Sequence, residues 1–220
     1  MLAADTDKAR FNMVEKQIRP CDISDQRVLE AFKAIPREHF VDDEYKSLAF
    51  ADTHLPLING DVMMKPLQEG FMLQALNVQP GEQVLEVGTG SGYMTACLLH
   101  LGGKVTSYEI DSHLSAHAAE RLHALGMDDA ALVVGDIFAA DLPDEGFDVI
   151  AVTGSVPEPS EKLERLLAPG GRLFQIKGED PVMCATLSTK NADGTVQQKG
   201  LCETALPPLK NAPQPKKFVF

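Results

Sequence analysis

Three glycines at alternate positions, Gly88, Gly90 and Gly92, fall inside Val84-Leu-Glu-Val-Gly-Thr-Gly-Ser-Gly-Tyr93. An apolar run precedes them and an apolar-periodic stretch follows, so the pattern predicts a strand, a tight turn and the start of a helix. Glycine in such a turn lets the backbone approach a ligand closely, and free N–H groups at the helix start face it. The dinucleotide pattern G-x-G-x-x-G would need glycine at position 93, where Tyr93 stands. Glu86 lies two residues before the first glycine, and a carboxylate there suits a cationic amine better than a pyrophosphate. Two more acids fall at the carboxyl ends of successive predicted strands. Glu109 comes 23 residues after Glu86, where a carboxylate can accept both hydroxyls of a ribose. Asp136, in Val134-Gly-Asp-Ile137, is placed to meet an adenine amino group. With Thr89, Ile110 and Ile137 beside them in the same turns, these acids describe a pocket for an amine, a ribose and an adenine, with no phosphate.

Other reactive residues are sparse. His54 stands alone, and His113 and His117, although at i, i+4 spacing, fall on a predicted helix with no third ligand in the pattern; no metal is expected. Cys21, Cys97, Cys184 and Cys202 lie far apart with no C-x-x-C pair. They read as free thiols of a reducing cytoplasm rather than a zinc site.

The elements that must position the acids follow from periodicity. Phe11, Val14 and Ile18 recur at helical spacing and stop before Pro20. Ser24-Asp25 offers an N-cap to a second helix carrying Val28, Leu29, Phe32 and Ile35 and ended by Pro36. Residues 37–65 read as irregular, and Pro66 opens another helix. From Gln83 strand and helix alternate, with strands expected at 84–87, 104–108, 131–134, 149–152 and 173–176 and helices at 93–101, 114–125 and 160–167. Met183–Thr189 and Val196–Thr204, separated by Asn191-Ala-Asp-Gly194, read as a hairpin. The alternation implies an α/β, doubly wound, mainly parallel sheet. Residues 1–80 would form a helical extension with the acceptor-side loop, packed on a cofactor domain spanning 81–220 as one structural unit.

Composition bounds the partners. The chain has 220 residues, 44% hydrophobic and 24% charged, as ordinary globular material has. Acids outnumber bases 32 to 20, a net charge of −12, which disfavours a protein built to grip nucleic acid or anionic lipid through a broad cationic field. No apolar run approaches the length of a membrane span, and Met1–Lys8 lacks the basic-then-apolar order of a signal peptide. A cytoplasmic location is expected, without nucleic-acid or membrane partners; the oligomeric state is open.

Val84–Ala96 resembles the S-adenosylmethionine loop of class I methyltransferases, with the acids at 109 and 136 in register. More specifically, almost the whole chain resembles protein-L-isoaspartate O-methyltransferases. The resemblance is carried by Met13-Val-Glu-Lys-Gln-Ile18, Asp25-Gln-Arg-Val-Leu29, Pro36-Arg-Glu-His-Phe-Val41, Ala49-Phe-Ala-Asp52, Leu85-Glu-Val-Gly-Thr-Gly-Ser-Gly-Tyr93 and Leu167-Ala-Pro-Gly-Gly-Arg-Leu173. It implies a Rossmann-like seven-stranded sheet with an N-terminal helical extension and a C-terminal antiparallel hairpin. It also implies S-adenosylmethionine as cofactor, held by Glu86, Gly88, Thr89, Gly90, Gly92, Glu109, Ile110, Asp136 and Ile137, and methyl transfer to the carboxylate of an isoaspartyl peptide or protein.

One segment departs from the family. Its T-x-S-x-P stretch sets hydroxyls beside the acceptor carboxylate, and the matching Asp61-Val-Met-Met-Lys-Pro66 keeps Gly60 and Pro66 but carries Val62 and Met64 where threonine and serine are expected. No catalytic residue is assigned. Met63, Met64 and Lys65 are the candidate acceptor-binding residues, a flexible apolar wall and a cation that attracts an anionic acceptor. The C-terminal stretch 211–220 is also more polar and proline-rich than the family's usual ending. Two alternatives stand beside the leading reading: a methyltransferase for another peptide or small-molecule carboxylate, and a non-catalytic S-adenosylmethionine-binding module. Tyr93 and Glu86 argue against a nicotinamide oxidoreductase.

Overall fold

Helix α1 (Ala3–Asn12) widens into a π-helical turn over Met13–Ile18, then tightens into a 3-10 turn at Arg19–Cys21. These elements come from a computed structural model that describes residues 3–214; residues 215–220 of the polar C-terminal stretch lie outside it. The pattern of Phe11, Val14 and Ile18 thus belongs to a helix that begins at Ala3; Met13, Val14 and Ile18 of the π-helical turn are buried, whereas Phe11 is exposed. Asp25 caps α2 (Gln26–Ala34) by accepting the Arg27 N–H, and the helix ends before Pro36. Residues 37–65 are 3-10 turns and a two-stranded ribbon, β1 (Leu55–Pro56) and β2 (Val62–Met63), paired Leu55 to Met63 and Pro56 to Val62. Two-residue strands carry no period, so the sequence reads this segment as irregular. Helix α3 (Pro66–Leu76) follows, with Pro66 at its first position, where a missing N–H costs nothing.

The sheet begins with β3 (Gln83–Val87), followed by α4 (Tyr93–His100), β4 (Lys104–Glu109), α5 (Ser112–Ala124) and β5 (Ala131–Val134). β6 (Phe147–Val156), α6 (Glu161–Leu166) and β7 (Leu167–Glu179) complete the parallel part, and β8 (Val182–Lys190) and β9 (Val196–Glu203) add an antiparallel hairpin. Strand order is β5-β4-β3-β6-β7-β8-β9, the seven-stranded doubly wound arrangement expected. β6 and β7 are longer than their apolar centres suggested, and the pairing of Phe147 with Leu167 carries β7 through Pro169 and two glycines.

Strand alternation splits the sheet between two cores. Val84, Val105, Val149, Phe174 and Ile176 pack with α4 and with the helical N-terminal residues Met13, Ile18, Phe32, Met72 and Leu73. Leu85, Val87, Ile150, Val152 and Leu173 pack with Leu163 and Leu166 of α6 on the other side. The chain reverses direction across the sheet beside β3, and in open α/β sheets the crevice at such a switch point receives the ligand.

Candidate functional site

Gly88 follows β3 directly, with φ +94°, and a Cβ there would collide with Thr153 Oγ1. That hydroxyl donates to the carbonyls of Val87 (3.0 Å) and Gly88 (2.5 Å), tying the turn to β6. Gly92 is the N-cap of α4, φ +87°, and a Cβ on it would lie 3.1 Å from that of Ala118 in α5. Gly88 therefore lets Thr153 close on the turn, whereas Gly92 lets α4 and α5 meet.

A cavity of about 730 Å³, counted with its open mouth, lies at the carboxyl ends of β3, β4 and β5. Gly88, Gly90, Glu109, Ile110, Asp136 and Ile137 all line it, so the structure brings together six of the nine residues expected at the cofactor. Glu109 is held from two sides: Gly90 N–H donates to Oε2 (2.9 Å) and Asp111 N–H to Oε1 (3.0 Å). Asp136 accepts the Phe138 N–H (2.8 Å) and the Asn211 side-chain N–H (2.9 Å). Ile110, Leu114, Ile137 and Phe138 supply apolar walls beside the two acids.

The other three lie elsewhere. Thr89 faces an adjoining smaller cavity and pairs with Ser107 at 2.6 Å. Glu86, expected against an amine, lines neither cavity. Successive strand residues point to opposite faces, and with Val87 toward the cavity Glu86 turns toward α4. There it is fully buried, accepting from Thr95 (2.5 Å) and Ser107 (2.6 Å), while its Oε1 has no partner. Burial pushes this carboxyl up to about 7 against those two hydroxyls, and the charge of Glu109 adds to the push.

The acceptor-side candidates divide in the same way. Met63 and Met64 are buried and line the smaller cavity with Val62, Glu69, Gly90 and Thr153. Lys65 sits at the N-cap of α3 and lines neither. Beneath the methionines is an ion pair that sequence reasoning missed. Arg37, with no exposed surface, donates to both Glu69 oxygens (2.6 and 2.5 Å), to the Ala49 carbonyl (2.8 Å) and to the Met64 carbonyl (2.8 Å). Its guanidinium lies 4.9 Å from the Tyr93 ring centre. Burial pushes Glu69 up to about 7 despite the pull of Arg37, while Arg37 spends two of its four bonds on Glu69 and two on backbone carbonyls. Helical spacing alone gives no sign of it, because Arg37 sits in a 3-10 turn and Glu69 lies 32 residues away on a separate helix.

The segment after β9 roofs the larger cavity. Ser155 N–H donates to Pro207 O and Leu209 N–H to Ser155 O, both at 2.9 Å. Lys210 then reaches Asp61 (3.1 Å) and Asn211 reaches Asp136. The charged residues of the lining are thus three acids, Asp61, Glu109 and Asp136, and one lysine already paired with Asp61. Such a lining suits hydroxyl and amino donors and a positive charge; a pyrophosphate would meet carboxylates and no free cation. Among the described residues no group of three or more His, Cys, Asp or Glu could hold a metal, and no helix is long and apolar enough to cross a membrane.

Comparison with known proteins gives a consistent result. The family model for protein-L-isoaspartate(D-aspartate) O-methyltransferases matches residues 8–213. A protein-L-isoaspartate O-methyltransferase 2 of Anaeromyxobacter sp. (strain Fw109-5) is 40% identical over 186 residues, 84% of this chain and 76% of that one. A protein-L-isoaspartate O-methyltransferase of Aeropyrum pernix is 37% identical over 206 residues, 92% and 79% of the respective chains. In fold, a Plasmodium falciparum protein-L-isoaspartate O-methyltransferase solved with S-adenosyl-L-homocysteine superposes with TM-score 0.79 at 22% identity, over 93% of this chain and 98% of that one.

Proposed function

The chain belongs to the protein-L-isoaspartate(D-aspartate) O-methyltransferase family, and from that premise we propose that it transfers a methyl group from S-adenosylmethionine to the free carboxylate of an isoaspartyl residue in a peptide or protein, acting in the cytoplasm. The observation that carries the reading is the placement of Glu109 and Asp136 at the ends of neighbouring strands, facing one cavity that the glycine turn opens. Glu109 would hold the ribose hydroxyls and Asp136 the adenine amino group, between the walls of Ile110 and Ile137. Glu86 acts from beneath, tying α4 and β4 to the loop's strand through Thr95 and Ser107 rather than contacting the cofactor.

When bound, the cofactor supplies an electrophilic methyl group on a sulfonium. The acceptor carboxylate is already ionised at pH 7 and needs no general base, which accords with a site whose histidines all lie outside the two cavities. What the protein must do is align the carboxylate and exclude water. Val62 and Met64 do this with apolar surface where hydroxyls are expected in the family, with Met63 between them. Arg37 fixes the Met64 backbone from below. The same apolar wall favours a second reading, a carboxylate less hydrated than that of an isoaspartyl peptide. Transfer of labelled methyl from S-adenosylmethionine to an isoaspartyl peptide, its L-aspartyl counterpart and a panel of small carboxylic acids separates the two. Isoaspartyl-dependent label supports the proposal, and label only on another acid replaces it.

A further inference from the structure

A second groove opens behind the Leu206–Pro208 segment, whose three residues line both it and the cofactor cavity. It measures about 930 Å³ with its mouth, and its opposite wall includes His54, Met183 and the Gly178–Asp180 turn. His54 stands against Gln68, with Nε2 2.9 Å from Oε1. The orientation of that amide is settled by the backbone at both ends. Gln68 Nε2 donates to the Ala205 carbonyl (2.9 Å), which can only accept, and Gln68 Oε1 receives the Lys65 N–H (3.1 Å), which can only donate. His54 Nε2 must therefore carry a proton. Nδ1 keeps its lone pair, has no hydrogen-bond partner among the described residues, and is not among the partnerless atoms shut away from solvent. Burial holds the imidazole below its ordinary range; Lys65 lowers it further, while Gln68 and Asp52 pull the other way.

We propose that His54 is an acceptor-recognition residue: its Nδ1 accepts a hydrogen bond from a backbone N–H of the polypeptide flanking the methyl-accepting carboxylate, seating that chain in the groove behind Leu206–Pro208. The proposal rests on the peptide-methylating reading above. A fixed lone pair selects a donor, and the donor common to peptides of any sequence is the backbone N–H. Pro207 and Pro208 have none of their own to compete for it. Exposed Glu179 and Asp180 border the groove and repel a carboxylate, so neutral backbone occupies it and the reacting carboxylate is left for the cofactor side. Prolines and Met183 make the walls apolar, where a single hydrogen bond counts for more than in water.

The test is calorimetric titration of the full chain, loaded with S-adenosyl-L-homocysteine, with an isoaspartyl hexapeptide and with copies in which one backbone N–H at a time is N-methylated. His54→Phe keeps the ring's bulk and should weaken the hexapeptide by about 3–30-fold while leaving S-adenosyl-L-homocysteine affinity unchanged. One N-methylated copy should weaken by a similar factor on the unaltered protein and show no further loss on the variant. The methylated peptides probe the contact without touching the fold. Equal binding by H54F, or N-methyl penalties identical in both proteins, overturns the proposal. If the hexapeptide binds but H54F is silent, only the role of His54 falls. If no peptide binds and a small acid is methylated instead, the peptide reading falls with it.

Discussion

At the scale of single residues, the site is built from carboxylates in two different situations. Glu109 is buried but lines the cavity and is braced by two backbone N–H groups, so it is ready for hydroxyl donors without rearrangement. Glu109→Ala should weaken S-adenosylmethionine by about 10–100-fold in a calorimetric titration, the cost of losing charge-assisted hydrogen bonds; unchanged affinity would remove Glu109 from the site. Glu86 has no exposed surface, and burial raises its carboxyl from 4.5 to about 7. In the folded protein it holds its proton to higher pH than in the unfolded chain. The stability it contributes is complete below pH about 4.5 and is lost as pH rises through about 7. Urea unfolding of the cofactor-free protein at about pH 5 and about pH 8 should show a fall in stability to which Glu86 and Glu69 both contribute, and Glu86→Gln should remove about 2–3 kcal/mol of it. An equal fall in the variant would assign the pH dependence to other groups.

At the scale of elements, what joins the helical N-terminal part to the sheet is polar as well as apolar. Tyr93, the first residue of α4, packs with Phe32 and Phe40 and lies under the Arg37 guanidinium, so the residue that breaks the dinucleotide glycine pattern is an anchor between layers. Arg37 and Glu69 carry the same junction down to the Met64 carbonyl. Arg37→Met should destabilise the protein by about 3–5 kcal/mol, because it strands a buried carboxylate, whereas Arg37→Met with Glu69→Leu should recover most of that loss. Chemical denaturation of both variants checks this, and equal losses would mean that packing rather than stranded charge dominates. The elements themselves were largely legible. Asp25 and Pro66 mark helix starts, and Val84–Val87 and Leu173–Ile176 mark strands, because capping and apolar runs are local signals. The β1–β2 ribbon and the early start of α1 were not, since two-residue strands have no period and the first ten residues carry little apolar pattern.

At the scale of the whole molecule, the cavity exists because distant stretches meet at one sheet edge: the glycine turn, the ends of β4 and β5, the ribbon near Asp61 and the roof from Leu206 to Asn211. The glycine turn and the ends of β4 and β5 could be read in the chain because strand ends collect on one side of a parallel sheet. The roof could not, since Lys210 meeting Asp61 and Asn211 meeting Asp136 are long-range contacts with no spacing rule. Strand alternation likewise decided that Glu86 would face α4 instead of the ligand. The account as a whole turns on where the methyl group goes. In an isoaspartyl residue the chain runs through the side-chain carbonyl and leaves the α-carboxylate free. Tandem mass spectrometry of an isoaspartyl peptide after incubation with the protein and S-adenosylmethionine should find one methyl group on that carboxylate, removed by mild base and absent from the L-aspartyl peptide. A methyl group stable to base, placed on another atom, or equally present on the L-aspartyl peptide would contradict it.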